Sequence, residues 1–268
     1  METPGGRPLP VEPYPTVRVV TGPAEVEGLE GARLSEWFGE LLPHFARETL
    51  RCGGEVALAP REGATEGVGL FSPGEQVTSL FSRSVAVAAA LRGRHPDASA
   101  FADFPLAPGA ERYLVLSAEP TGLRPDRPLA FPVRPAGARD EPAILSLIRT
   151  VHGRVDERWF DPSRPPAERC FVVELDGELA GAGCTTLVGS TGRLHSLSVH
   201  PRFRRLGIGT DLVRARLWFL FAAGARRVYS EIAERNAPSR AIAARVGLRP
   251  VGALFRHDPM IAPSPRTA

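Results

Sequence analysis

One stretch, SLSVHPRFRRLGIGTDLV from Ser196 to Val213, limits what this chain can become: a β-like run, basic residues, two glycines one residue apart, then a helix. Glycines at 207 and 209 let the backbone turn tightly and approach a ligand closely. The N–H groups that open the following helix point at an anion. Arg204 and Arg205 add charge suited to a pyrophosphate, and Thr210 adds a hydroxyl donor. Other glycine loops fail on the same letters. No Gly-Lys-Ser/Thr exists for a P-loop, and GIGTDL lacks the third glycine of the dinucleotide fingerprint. Taken as architecture alone, Gly207 and Gly209 make a strand-to-helix turn.

The surroundings of this loop read as a mixed α/β domain. Leu129 to Arg134 is strand-like, and Ala138 to Gly153 carries Ile144, Leu145, Ile148 and Val151 at helical spacing. Three antiparallel strands follow in CFVVELDGELAGAGCTTLV and GRLHSLSV, broken at Asp176-Gly177 and at Gly189 to Gly192. A helix from Ile208 to Ala223, a strand in ARRVYSEIAE, a short helix in SRAIAARVG ended by Gly247, and a strand in RPVGALFRH complete the order βαβββαβαβ. Proline-rich stretches at 119–128 and from Pro259 onward mark a linker and a tail. The expected division is a flexible N-terminus (1–16), an α/β segment (17–118), a linker (119–128), the second domain (129–257) and a tail (258–268).

The first segment echoes the second. Glu62-Gly63 followed by Gly67 and Gly69 repeats the spacing of Asp176-Gly177 followed by Gly181 and Gly183, each set after a β-like run. A helix is expected over Leu34 to Leu50. Where a glycine loop belongs, the first segment has SPGEQVTSLFSRSVAVAAALRG instead.

Composition excludes several classes of function. The chain of 268 residues has a formal charge of +3, all its basic side chains besides histidine are arginine, and these form no stripe with interleaved aromatics, so nucleic acid is not expected as a partner. The most apolar run, Leu217 to Ala223, is far shorter than a membrane span and is bracketed by Arg216 and Arg226, so no membrane partner is expected. METPGGRPLPVEPYP has no apolar stretch of signal-peptide character. Three cysteines, Cys52, Cys170 and Cys184, without a CxxC pair, argue against both a disulfide scaffold and a metal site and fit a reducing cytoplasm.

Arg204-x-x-Gly207-x-Gly209, preceded by Val199-x-Pro201, resembles the signature of the GCN5-related N-acetyltransferase (GNAT) superfamily, and the resemblance covers residues 129 to 257. It implies a mixed, mostly antiparallel sheet flanked by helices; the glycine echo then reads either as a degenerate partial copy of the same fold in the first segment or as a coincidence of a common hairpin pattern. It also implies acetyl-CoA as co-substrate and no metal. By the same resemblance the backbone of Leu197, Ser198 and Val199 pairs with the pantetheine arm. The amides of Arg205, Leu206, Gly207, Ile208, Gly209 and Thr210, together with Arg204, hold the pyrophosphate. Asn236 matches a family asparagine near the cofactor and reads equally as a helix cap. Ala243 stands where many members carry the tyrosine that protonates the leaving thiolate.

Amide formation needs a proton acceptor for the attacking amine. Glu231, in the strand before Asn236, matches a general-base glutamate of some members that acetylate protein N-termini. Its bland reading is a strand-end carboxylate paired with an arginine. Strand alternation puts Tyr229 on the same face as a replacement proton donor, and His195 is an alternative base. The expected function is transfer of an acetyl group to a primary amine, of a small molecule or a peptide N-terminus, by direct attack in a ternary complex. The alternative is an acyl-CoA-binding sensor or scaffold without turnover. The first segment has three candidate roles: shaping the acceptor site, forming a homodimer face, or only completing the hydrophobic core.

Overall fold

The computed structural model describes residues 16–27, 29, 34, 41–61, 64–74, 76–82, 84–122, 128–153 and 168–260. Its strands are β1 (Arg18–Val19), β2 (Glu55–Arg61), β3 (Ala64–Ser72), β4 (Val77–Ser82), β5 (Ser99–Ala102), β6 (Glu111–Ala118), β7 (Arg134–Pro135), β8 (Glu168–Leu175), β9 (Glu178–Val188), β10 (Thr191–Val199), β11 (Arg227–Ala233) and β12 (Arg249–His257). Its helices are α1 (Ala24–Glu27), α2 (Leu42–Arg51), α3 (Val85–Arg92), α4 (Glu141–His152), α5 (Ile208–Ala222) and α6 (Ala237–Arg245).

All the strands join one sheet in the order β1-β2-β3-β4-β5-β12-β6-β11-β10-β9-β8-β7. Among these neighbours the parallel pairs are β4–β5 and β10–β11; each is the crossover pair of its own half, bridged by a helix, α3 or α5. The last strand of each half is exchanged. β12 lies between β5 and β6, and β6 lies between β12 and β11, with Ala118 to Tyr113 laddered against Val228 to Ala233. Neither half of the sheet is continuous without a strand from the other.

The glycine echo has a physical basis in this arrangement. A Cβ on Gly67 would stand 2.4 Å from Val87 of α3, and one on Gly181 would stand 2.9 Å from Ile208 of α5. The matching glycines thus let the matching helices lie close on their strands. At the β8–β9 turn, Asp176 and Gly177 both adopt positive φ, as a two-residue hairpin of the Asp-Gly type requires.

Packing also crosses the halves. On the α2 side, Leu41, Leu42 and Ala46 share a core with Val56, Val68, Val115, Tyr229 and Leu254. On the other side, Leu116 and Ala118 of β6 lie with Leu217, Leu220, Ala243 and Leu248 beneath α5 and α6. Each large side chain so buried contributes roughly 1.5–3 kcal/mol, and β6 packs against helices of both halves.

Three expectations are corrected. The strand expected from Leu129 to Arg134 shrinks to Arg134–Pro135, because the amides of Ala130 and Phe131 donate to Asp211 Oδ2 (2.7 and 3.1 Å) instead of to a ladder. The helix expected from Leu34 begins at Leu42, with Pro43 in its first turn, where a missing N–H costs nothing; residues 35–40 lie outside the described residues. Cys170 and Cys184 stand directly opposite each other on β8 and β9 and are joined by a disulfide, which their separation of 14 residues did not signal. The expected linker contains a 3₁₀ turn at Pro120–Gly122; residues 123–127, and residues 161–167 of the loop before β8, lie outside the described residues.

Candidate active site

The β10–β11 pair comes apart. Its parallel ladder runs Thr191↔Arg227, Gly192↔Val228 and Arg193↔Tyr229 and then stops, although β10 continues to Val199 and β11 to Ala233. At the same place the β9–β10 register shifts between His195 and Ser198, and Ser196 takes a left-handed φ of 53°. Such a bulge bends its strand away from a neighbour. Because β9 still holds β10 and β6 still holds β11, a wedge opens between them. Leu197, Ser198 and Val199 lie on its wall, where an extended ligand can pair with the main chain. The first half differs at this point. Its β4–β5 ladder spans all of β5, from Val77↔Ser99 to Leu80↔Ala102, and its β3–β4 register is unbroken.

Below the wedge, the loop from Arg204 to Gly209 is shaped by two left-handed residues, Arg205 (φ 66°) and Gly207 (φ 104°). Gly207 caps α5 without a side-chain acceptor, and the amides of Thr210 and Asp211 donate to its carbonyl (2.9 and 3.1 Å). The helix-opening amides of Ile208 and Gly209 are thereby left to meet an anion. Arg204, Arg205, Leu206 and Gly207 are exposed, Thr210 is half-buried, and Arg204 Nε donates to Val199 O at 3.3 Å. A Cβ on Gly209 would lie 3.0 Å from Ile242 Cδ1 and 3.5 Å from Val199 Cγ2, so a glycine is what lets α5 start in the angle between β10 and α6. The corresponding end of α3 is closed, since Ser84 Oγ accepts from Val87 N at 3.1 Å.

On the sheet face away from α5, Glu231 stands just past the last β10–β11 pair. Arg193 Nε donates to both its carboxylate oxygens, at 3.0 and 3.2 Å. The guanidinium of Arg193 lies over the ring of Phe45, 5.2 Å from its centroid, so helix α2 of the first half reaches the mouth of the wedge. Tyr229 shares this face, as alternation requires. Its ring is buried in the core beneath α2, however, and its hydroxyl meets Arg227 Nη1 at 3.5 Å. His195 is held through both ring nitrogens, Nε2 against Thr186 Oγ1 (3.1 Å) and Nδ1 against Ser196 Oγ (3.2 Å). At the end of α4, His152 Nε2 meets the buried Ser198 Oγ at 3.0 Å. Desolvation of its ring, with the charge of Arg204, holds His152 below the usual histidine range against the raising effect of a main-chain hydrogen bond at Leu197.

Asn236 acts as the cap of α6, its Oδ1 accepting from Ser239 N at 3.2 Å. Ala243 is buried in the α5–α6 core and puts no hydroxyl at the wedge. Of the expected site residues, the structure gathers Leu197 to Val199, Arg204 to Thr210 and Glu231 around the wedge and its base. It sets Tyr229 into a core and Asn236 at a helix end. Arg193, Phe45 and His152 escaped sequence reading. No local pattern marks an arginine in a strand as the partner of a glutamate 38 positions on, or a phenylalanine of the first half as its cover.

Residues 143–248 match the model of the acetyltransferase (GNAT) family. The chain is 28% identical over 118 residues to a mycothiol acetyltransferase of Acidothermus cellulolyticus, covering 38% of this chain and 35% of that protein. It is 26% identical over 97 residues to a putative [ribosomal protein bS18]-alanine N-acetyltransferase of Bacillus subtilis, covering 36% of this chain and 64% of that one. The chain therefore spans about a third of one curated relative and just under two thirds of the other. In fold, it is similar to a tandem GNAT protein from the clavulanic acid biosynthesis pathway, with a TM-score of 0.57 and 16% identity over 93% of this chain and 100% of that one.

Proposed function

We propose, from the premise that residues 143–248 form a GNAT-family domain, that the protein transfers the acetyl group of acetyl-CoA to a primary amine by direct attack in a ternary complex. The observation that carries this reading is the wedge between β10 and β11 standing over an uncapped helix start. The co-substrate supplies a thioester carbonyl. In this reading the chain positions it: amides from Arg205 to Thr210 and the side chain of Arg204 bind the pyrophosphate, and the main chain of Leu197 to Val199 pairs with the pantetheine arm. Glu231 takes the proton of the attacking amine, and its pairing with Arg193 orients the carboxylate at the mouth. Tyr229 acts by packing, and the thiolate leaves without a dedicated acid. A thiol with a pKa of about 8.5 tolerates that.

The proposed organisation has three parts. Residues 17–118 form a degenerate copy, 119–128 a connection and 129–257 the acyltransferase, and the first half shapes the acceptor site through α2. No described helix is long and apolar enough to cross a membrane. A cytoplasmic location no longer finds support in the cysteines, since two of the three are joined. The acceptor is an amine of a small molecule or a peptide N-terminus. The similarity to an alanine N-acetyltransferase favours the latter.

The buried Ala243 favours a second reading, a coenzyme-A-binding sensor without turnover. Thiol release from acetyl-CoA with pooled amines and peptides separates the two. Amine-dependent release that is lost in Gly207→Glu and Glu231→Gln supports transfer; binding with no release from any acceptor supports the sensor.

A further inference from the structure

Arg216 is the largest of the fully buried side chains among the described residues. It lies on α5 against β9 and β10, in space left by Gly183, where a Cβ would stand 2.7 Å from its Cζ. A cation removed from water usually carries a carboxylate, because desolvation is otherwise uncompensated. None pairs with Arg216 among the described residues. Its hydrogen bonds all go to main-chain carbonyls: Nε to Leu212 O at 3.1 Å in its own helix, Nη1 to Cys184 O at 2.9 Å and to His195 O at 3.0 Å. Burial without a countercharge pushes its pKa down.

The two strand carbonyls are not arbitrary ones. Cys184 and His195 are the last partners in the β9–β10 ladder before it slips, and Ser196, with its left-handed φ, follows at once. A guanidinium that clasps both strands where the ladder breaks fixes the bulge from behind. Because a trans peptide is planar, drawing the His195 carbonyl toward α5 turns the Ser196 amide to the opposite face, the one that carries Arg193 and Glu231. A carbonyl bonded to a cation also polarises its peptide, which strengthens the amide as a donor.

We infer that Arg216 is the positioning residue that sets the β10 bulge, and with it the acyl end of the wedge, while touching no substrate itself. This rests on the reading that the wedge holds acyl-CoA. The phosphate loop lies at the start of α5, about two turns before Arg216, and does not depend on it. The acyl group and the phosphates therefore respond differently to its loss.

The test compares the full-length protein with Arg216→Met, which is apolar and of similar length, Arg216→Lys, which retains a charge, and Gly183→Ala, which displaces the guanidinium without altering it. Calorimetry gives the affinities for coenzyme A and for acetyl-CoA, amide exchange reports residues 194–199, and melting reports the fold. In Arg216→Met we expect faster exchange at 195–198, coenzyme A affinity within about threefold of wild type, and acetyl-CoA affinity down by about tenfold or more. Arg216→Lys should fall between Arg216→Met and wild type, and Gly183→Ala should resemble Arg216→Met. Arg216 serving the fold alone would lower both affinities together with the melting temperature, which overturns the assignment. Unchanged exchange with unchanged affinities in a folded Arg216→Met overturns it too. Should wild type bind neither ligand, the acyl-CoA reading fails, and the exchange data still judge the bulge.

Discussion

Helix α5 is bracketed by two glycines in nearly the same left-handed conformation, Gly207 at φ 104° and Gly224 at φ 100°. A Cβ at Gly224 would meet nothing within 4 Å, and one at Gly207 only Phe131 Cε2 at 3.8 Å. Alanine at either position is therefore a backbone perturbation nearly free of clash. The expected cost is about 1–2 kcal/mol in each case, a fall in melting temperature of about 2–8 °C at this chain length. At Gly224 the strain has no functional consequence. At Gly207 it is relieved by rotating the loop peptides, which moves the amides of Ile208 and Gly209. A hydrogen bond to a charged phosphate is worth about 1.5–3 kcal/mol, so losing one weakens coenzyme A binding by about ten- to a hundredfold. Scanning fluorimetry and calorimetry at fixed salt measure both quantities. Gly207→Ala and Gly224→Ala should melt alike, and only Gly207→Ala should lose affinity. Equal affinities in the two variants would refute the placement of the phosphate cradle at the start of α5.

Four further outcomes follow from the structure. Asp140, hydrogen-bonded by Arg134 and by the amide of Gly137, has its carboxyl pulled down to about 2, so it contributes about 1–2 kcal/mol after solvent screening. That contribution is full above about pH 4 and is lost as pH falls toward 2; Asp140→Asn should lower urea stability at pH 7 and scarcely at pH 2. Glu231→Gln keeps an acceptor for Arg193, and the base reading expects turnover to fall by at least about a hundredfold with acetyl-CoA affinity retained; unchanged turnover moves the base to His195. A fragment of residues 129–268 lacks the β6 strand that joins β11 to β12 and should give no cooperative melt by circular dichroism until residues 1–128 are supplied in trans. Denatured without reductant, the oxidised chain should titrate one thiol, Cys52, and three after reduction.

What the sequence disclosed was the part governed by local rules. Asp176-Gly177 set the β8–β9 hairpin, the strand expected in RPVGALFRH matched β12, and Gly207 and Gly209 marked the start of α5. The glycine echo was legible because glycine under a helix leaves a trace at fixed spacing. Contacts made across the chain left none. Exchange of β6 and β12 depends on edge pairing between segments more than a hundred residues apart. Arg216 read as a charged bracket to an apolar run, yet a bare Gly183 and the carbonyls of Cys184 and His195 receive it in the interior. Glu231 was singled out by its match to a family position in the strand before Asn236, while Arg193, which pairs with it, and Phe45, which stacks on that arginine, come from a neighbouring strand and from the other half.

The central claim is that one half of this sheet opens for acyl-CoA and the other is shut by a complete β4–β5 ladder and by Ser84 capping α3. Calorimetric titration of the full-length protein with acetyl-CoA tests it most directly. The account predicts one site per chain, abolished by Gly207→Glu. No binding, or two sites per chain, would contradict it.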